Sequence, residues 1–180
     1  MKNSLLYVLF VSAFFSVNAQ SGKNVEKGLF KVNALIPGVS YELGVGTNTS
    51  FNFDVGILLA LEGGTNVKTE FGLFPTLGAD FRYYYNMDRR IGKGKNILGN
   101  SGNYLGVANQ FYPGNAFVGN LDFTSSYFYN TAVVYGIQRM RPKGFYWGVS
   151  FGPGLFVDDF DVNGGLFVDA KLGWVIGKRK

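Results

Sequence analysis

Residues 166–176, LFVDAKLGWVI, decide the fold of this chain. Every second residue of the stretch is apolar, and that row consists of Leu166, Val168, Ala170, Leu172, Trp174 and Ile176. The alternate row carries two opposite charges in its middle, Asp169 and Lys171. A period of two places the rows on opposite faces of a β-strand. An apolar face opposite a polar one is typical of a strand that has lipid on one side and a closed polar interior on the other.

The same alternation recurs along the chain and predicts eight strands. They cover residues 29–36, 39–46, 51–61, 71–86, 103–111, 127–139, 145–154 and 166–176. The longer connections are expected at residues 62–70, 86–102, 112–126 and 155–165, and Pro75 is expected at a bulge or a sheet edge. Eight is the smallest common strand number of membrane barrels, and an even number places both termini at one end. The predicted fold is therefore all-β, an eight-stranded antiparallel up-and-down transmembrane β-barrel.

The N-terminal residues have the pattern of a targeting segment. Lys2 precedes an apolar run at residues 5–17, and Val17-Asn18-Ala19 fits a cleavage site with small residues. We predict a secretory signal peptide at residues 1–19, which is too short to span a membrane as a helix. The barrel domain is then residues 20–180.

The composition excludes several kinds of chemistry. The chain has no cysteine, which excludes disulfides and thiolate metal sites, and no histidine, which excludes a Ser–His or Asp–His mechanism. We expect no catalysis and no cofactor. The 26 glycines, with aromatic residues at 17%, favour many strands with tight turns over a helical bundle.

Charged residues on the predicted inward rows form one candidate cluster. Its members are Glu42, Asp54, Asp80, Arg82, Asp169 and Lys171. The lumen of an eight-stranded barrel holds side chains but no wide pore, and a buried charge requires a partner. We therefore expect these charges to pair across the lumen as a filling, with a proton or ion path as the alternative hypothesis.

If the N-terminus is placed in the periplasm, most of the remaining basic residues and the remaining acidic residues lie at opposite ends of the predicted barrel. Most basic residues then lie on the periplasmic side, including those at residues 89–95, 139–143 and 178–180. The outer loops instead contain Glu62, Glu70, Asp122, Asp158, Asp159 and Asp161, with Lys68 as the basic exception. The basic stretch at residues 89–95 is interpreted as turn charge that contacts solvent or lipid phosphates, and no nucleic-acid partner is expected.

The acidic segment at residues 158–165, DDFDVNGG, contains a weak calcium candidate. Asp159, Asp161, Asn163 and Gly164 match the first half of a calcium loop. The second half does not match, because position twelve is Ala170 rather than Glu. The alternatives are a flexible acidic loop, or loose bridging through divalent ions to lipopolysaccharide phosphates.

Several runs of the chain resemble the small outer-membrane β-barrel proteins of Gram-negative bacteria, of the OmpA/OmpX-like eight-stranded kind. The runs are VNAQ at 17–20, GVSYE at 38–42, FRYYYN at 81–86, NSGNY at 100–104 and YGIQR at 135–139. The resemblance implies a monomer in the bacterial outer membrane, with membrane lipid, lipopolysaccharide and the barrel-assembly machinery as partners. Such barrels commonly end on an aromatic residue, whereas this chain ends Gly177-Lys178-Arg179-Lys180, so Trp174 and Ile176 are the candidates for that role.

Two functions are compatible with this pattern. The first is an outer-membrane barrel with a filled polar lumen and a structural or surface-interaction role. The alternative is a soluble secreted lipocalin-like barrel that binds a small apolar ligand. The two hypotheses differ in one observable, because the apolar rows face outward in the first and inward in the second.

Overall fold

The structure of the chain, a computed structural model, describes residues 24–64 and 67–177. The predicted signal peptide at residues 1–19 and the basic tail at 178–180 lie outside the described residues. None of the helices in the described ranges has the length and apolar character needed to cross a membrane.

Nine strands occur in the described ranges, and eight of them form a closed ring. They are β1 (Gly28–Asn33), β2 (Gly38–Gly44), β3 (Thr49–Gly64), β4 (Val67–Tyr83), β5 (Gly102–Pro113), β6 (Val118–Gly119), β7 (Tyr127–Met140), β8 (Phe145–Val157) and β9 (Val162–Ile176). Each ring strand pairs antiparallel with the next one, and β6 is a two-residue addition that pairs with β4. β9 pairs back with β1, with Trp174 opposite Val32, and so closes the ring. The predicted all-β fold, an antiparallel up-and-down barrel of eight strands, is confirmed.

Two of the predicted loops are wrong, because strand pairing continues through them. Within residues 62–70, β3 and β4 stay paired from Glu62 opposite Glu70 to Gly64 opposite Val67. Within residues 155–165, β8 extends to Val157 and β9 begins at Val162, which leaves a four-residue turn. The β3–β4 extension and the first residues of β9 are polar or glycine-rich, and residues 61–64 and 162–166 are exposed. The β8 extension at residues 155–157, Leu-Phe-Val, is an apolar run without alternation. A strand with no face to bury shows no alternation, so the pattern could not identify these parts.

The predicted polar connection at residues 86–102 is an ordered segment. It contains a short helix, α1 (Met87–Gly92), and a 3-10 helix at Leu98–Asn100. The Met87 side chain is fully buried and anchors the start of α1. Gly99 and Asn100 have positive φ angles of 57° and 56°, in the left-handed region that glycine and asparagine adopt most readily. This turn directs Asn100 into the barrel.

The predicted long loop at residues 112–126 packs onto the barrel wall. The side chain of Leu121 is buried, and the ring of Phe123 lies 4.7 Å from that of Phe74 on β4. Pro75 pairs with Ile57 of β3 and lies just beyond the last β4–β5 pair at Leu77, so it occupies an edge of β4.

The two faces of the strands differ sharply in exposure. In β9 the apolar row is exposed, with Leu166, Val168 and Trp174 at 69%, 62% and 48%, whereas the inward residues Phe167 and Val175 are buried. The same contrast holds around the ring, where the inward side chains include lysine, glutamate and arginine. The barrel therefore has an apolar exterior and a polar interior.

The connections define two ends of the barrel. The terminal end contains both termini of the described chain and the connections at 45–48, 84–101 and 141–144. The loop end contains the β3–β4 connection and those at 34–37, 114–126 and 158–161.

Candidate functional site

The candidate site is the polar interior of the barrel. The structure brings together all six predicted members of the lumen cluster, Glu42, Asp54, Asp80, Arg82, Asp169 and Lys171, in one network of ion pairs. The network also includes Lys31, which was not among the predicted members. Lys31 alternates with Phe30 and Val32 on β1, so its inward direction was readable from the sequence, but its pairing with Glu42 was not. The network has two layers.

Glu42 is the centre of the layer nearer the terminal end. Its Oε1 accepts hydrogen bonds from Ser50 Oγ, Tyr84 OH and Asn100 Nδ2, each at 2.7 Å. Its Oε2 accepts from Lys31 Nζ at 2.5 Å and from Gln138 Nε2 at 3.2 Å. A carboxylate offers about four lone-pair sites, and this one has five donors although it is fully buried.

Arg82 joins this layer to its neighbours. Its guanidinium donates to Asp80 Oδ2 at 2.6 Å and to Gln138 Oε1 at 3.1 Å, and it lies 5.0 Å from the centre of the Tyr104 ring. Glu42 Oε2 is 3.6 Å from the same group. The Lys31 ammonium lies 5.3 Å from the Tyr146 ring centre, so both cations combine ion pairing with an aromatic face.

This layer closes the lumen at its level. Lys31, Glu42, Asn52 and Arg82 are all exposed by 2% or less. A continuous water-filled channel would expose these side chains. The arrangement therefore favours the filling hypothesis over an ion path.

The second layer lies nearer the loop end and is more open. Lys171 Nζ is 2.5 Å from Asp54 Oδ2, 3.8 Å from Asp169 Oδ2 and 3.9 Å from Asp80 Oδ2. The side chains of Lys171 and Asp169 are 17% and 16% exposed. Among the described residues the network contains four carboxylates and three cations, so with every group ionised it carries one excess negative charge.

The ordered segment at residues 84–101 covers the terminal end of the lumen. Asn100 donates to Glu42, and its Oδ1 accepts from the backbone N–H of Glu26 at 2.7 Å. Gln138 Nε2 donates to the carbonyl of Gly99 at 2.9 Å, and Ser101 Oγ accepts from the N–H of Met140 at 2.8 Å. These contacts could not be predicted from the sequence, because Asn, Ser and Gly are equally typical of a solvated loop. The Gly99-Asn100 pair was the available signal for this turn, since both residue types tolerate a left-handed backbone.

The calcium candidate residues do not converge. Asp159 accepts hydrogen bonds from the N–H of Ser126, at 2.5 Å, and from its hydroxyl, and these bonds lower the pKa of the Asp159 carboxyl. Asn163 belongs to β9 and pairs with Phe156, while Asp161 stays in the exposed turn. In residues 24–64 and 67–177, no three Asp or Glu side chains are arranged to hold a metal ion.

Charge is separated between the two ends. In the described residues the terminal end has eight basic side chains, Lys27, Arg89, Arg90, Lys93, Lys95, Arg139, Arg141 and Lys143, against the acidic Glu26 and Asp88. The loop end has Lys68 against six acidic residues, Glu62, Glu70, Asp122, Asp158, Asp159 and Asp161. The ends are thus net +6 and −5, and the predicted separation of charge holds with the observed connections.

The fold and the site together define a class: a closed eight-stranded β-barrel with an apolar exterior and a lumen filled by paired charges. Comparison of the chain with known protein families, with curated proteins and with solved structures finds no match.

Proposed function

We propose that this chain is an outer-membrane β-barrel protein without catalytic activity, with a filled lumen and a structural or surface-interaction role. The observation that carries the proposal is the exposed apolar belt. Large apolar residues that are 42–62% exposed surround the ring, as in Phe53, Leu105, Val107, Phe151 and Val168. Soluble monomers rarely expose a contiguous apolar patch above a few hundred Å². Lipid is the environment in which such a belt is stable.

Aromatic residues support the same proposal. Tyr83, Tyr85 and Trp174, each 45–48% exposed, lie on the outer surface near the terminal end. Amphipathic rings of this kind are typical of the boundary between the apolar core of a membrane and the headgroups. The basic terminal end then faces the periplasm and the lipid phosphates beside it, and the acidic loop end faces the exterior with lipopolysaccharide as its neighbour.

The sealed layer around Glu42 bears on the kind of membrane function. It favours a barrel that acts through its surface and its loops, because the lumen has no wide passage. The lipocalin-like alternative requires the apolar rows to face inward around a ligand cavity. The observed exposure is the reverse of that requirement, since the charges lie inside and the apolar rows outside.

Fractionation of cells that express the full chain tests the proposal. We expect the protein to sediment with the membranes, to need detergent for extraction, and to show different gel mobility before and after heating. A protein that stays in solution without detergent would contradict the proposal and favour the soluble lipocalin-like barrel.

A further inference from the structure

The barrel wall has a notch above the β1–β2 hairpin. β1 and β2 have six and seven residues, while their outer neighbours β9 and β3 have fifteen and sixteen. Pairing stops at Gly38 opposite Gly56 on one side and at Asn33 opposite Gly173 on the other. Beyond these pairs, residues 58–64 of β3 and 162–171 of β9 have no strand partner on this side in the described chain.

The depth of the notch matters for a barrel in lipid. A strand that crosses a bilayer needs roughly 9–11 residues. β1 and β2 are shorter than this, so the notch begins within the height of the apolar belt. Unpaired backbone is tolerated at that depth only where it lines a cavity or is covered.

A cavity occupies the notch and extends into the lumen. The hairpin tip, with Leu35 and Ile36, forms part of its rim, and Asp54, Asp169 and Lys171 form its inner wall. Leu172 also lines the cavity, and it is 39% exposed at the outer surface, as Leu35 is at 59%. The cavity is thus apolar at the rim and charged at the bottom. Its volume of about 50 Å³ accommodates a few water-sized groups.

The charge at the bottom of the cavity is unbalanced. Lys171 is engaged by Asp54 at 2.5 Å, and Asp54 also accepts from Ser40 and Asn52. Asp169 is 3.8 Å from the same ammonium, and its carboxylate accepts no hydrogen bond within the described residues. Asp169 therefore provides the excess negative charge of the lumen at the wall of an accessible cavity.

We propose that the notch binds a primary ammonium group carried on an apolar chain, with the ammonium at Asp169 and the chain along the rim at Leu35 and Leu172. The excess negative charge favours a cation and opposes a phosphate or carboxylate head. The small volume admits an ammonium and excludes a sugar. Entry of the chain from the lipid rests on the proposed membrane location, whereas the pairing with Asp169 does not.

Titration of the full-length protein in dodecyl maltoside micelles with octylammonium, octanol and octanoate tests the proposal, with empty micelles as the blank. A charge-assisted hydrogen bond at a half-buried site should make octylammonium bind about tenfold more tightly than octanol. Octanoate should bind more weakly than either. Equal affinity for octylammonium and octanol, or no binding above the blank, would overturn the proposal.

Two matched variants locate the effect. Asp169→Asn should reduce octylammonium affinity by about tenfold and leave octanol unchanged. Asp161→Asn makes the same change in the exposed turn of the loop end and should leave both affinities unchanged. Wild-type affinity in Asp169→Asn would place the ammonium elsewhere and overturn the assignment. The failure of this inference can be distinguished from the failure of the proposed function, because the measured quantity is ligand binding. A barrel that inserts into membranes but shows no preference for octylammonium over octanol contradicts this inference alone. A soluble protein that shows the preference contradicts only the membrane proposal.

Discussion

At the scale of single residues, Glu42 is the side chain whose loss should cost the most. Glu42→Gln keeps the shape but puts an amide among the donors Lys31, Ser50 and Tyr84. It also leaves two buried cations without their shared carboxylate. Removing one partner of a buried pair costs about 3–5 kcal/mol, and we expect a loss of that size in the free energy of unfolding. Denaturant titration of the folded barrel measures it.

Glu62→Gln is the matched control for this prediction. Glu62 is exposed on β3 near the loop end, so the same substitution should change the unfolding free energy by less than about 0.5 kcal/mol. Equal stability of the Glu42 and Glu62 variants would mean that the lumen network does not hold the barrel together.

The lumen residues also show which features of the site can be predicted from the sequence. A period of two assigns Glu42, Asp80 and Lys171 to the inside, because it reports the face of each strand. It does not report which residues from distant strands meet across the barrel. The contacts of Gln138 with Lys31 and Glu42 join residues about a hundred positions apart, and they depend on the stagger of the closed ring.

At the scale of elements, the segment at residues 84–101 depends on Asn100 in two ways, through its hydrogen bonds and its positive φ. Asn100→Gly keeps the left-handed backbone but loses the bonds to Glu42 and Glu26, and should cost about 1–3 kcal/mol. Asn100→Ala loses the same bonds and must also adopt a positive φ, which costs about 1–2 kcal/mol more. The unfolding free energies of the two variants separate the two contributions.

Asn115→Gly controls for the added chain entropy of glycine, because Asn115 is exposed in the loop at residues 114–126. It should lose at most about 1 kcal/mol. Identical stabilities of Asn100→Gly and Asn100→Ala would show that the left-handed turn carries no strain. Wild-type stability of both variants would show that Asn100 does not anchor the segment at residues 84–101.

The elements that the sequence predicted well are those with one buried face. The strand predicted at residues 127–139 alternates and is recovered within one residue as β7. The strand predicted at residues 103–111 mixes polar and apolar residues, and it is recovered within two residues as β5. Near the loop end, β3 and β4 bury neither face. Backbone pairing alone maintains these parts of the strands, so the sequence shows no alternation that would predict them. The connection predicted at residues 86–102 is present between β4 and β5, but its short helices and its contacts with the lumen were not predicted, because its composition is also typical of a solvated loop.

At the scale of the whole molecule, two separations of residue type coincide. Apolar side chains lie outside and charged ones inside, and the signs of the remaining charges divide between the ends. In a membrane, lipid would surround the apolar belt, and the opposite charges of the two ends would distinguish the two possible orientations of the barrel. The alternation of residues 166–176 already contains the first separation, while the division between the ends emerges only once the connections are assigned to an end.

The belt gives the sharpest test of the whole arrangement. Val133 lies in the middle of β7 and is 62% exposed, whereas Phe160 is 67% exposed in the turn at residues 158–161. In a barrel folded into lipid vesicles, Val133→Arg places a charge near the bilayer midplane and should cost about 2–4 kcal/mol of folding free energy. Phe160→Arg, which exposes its charge to water, should cost less than about 1 kcal/mol. Denaturant titration in vesicles measures both changes. A water-soluble barrel would tolerate both substitutions equally, because both sites would then face solvent, so equal values would contradict insertion of the belt into lipid.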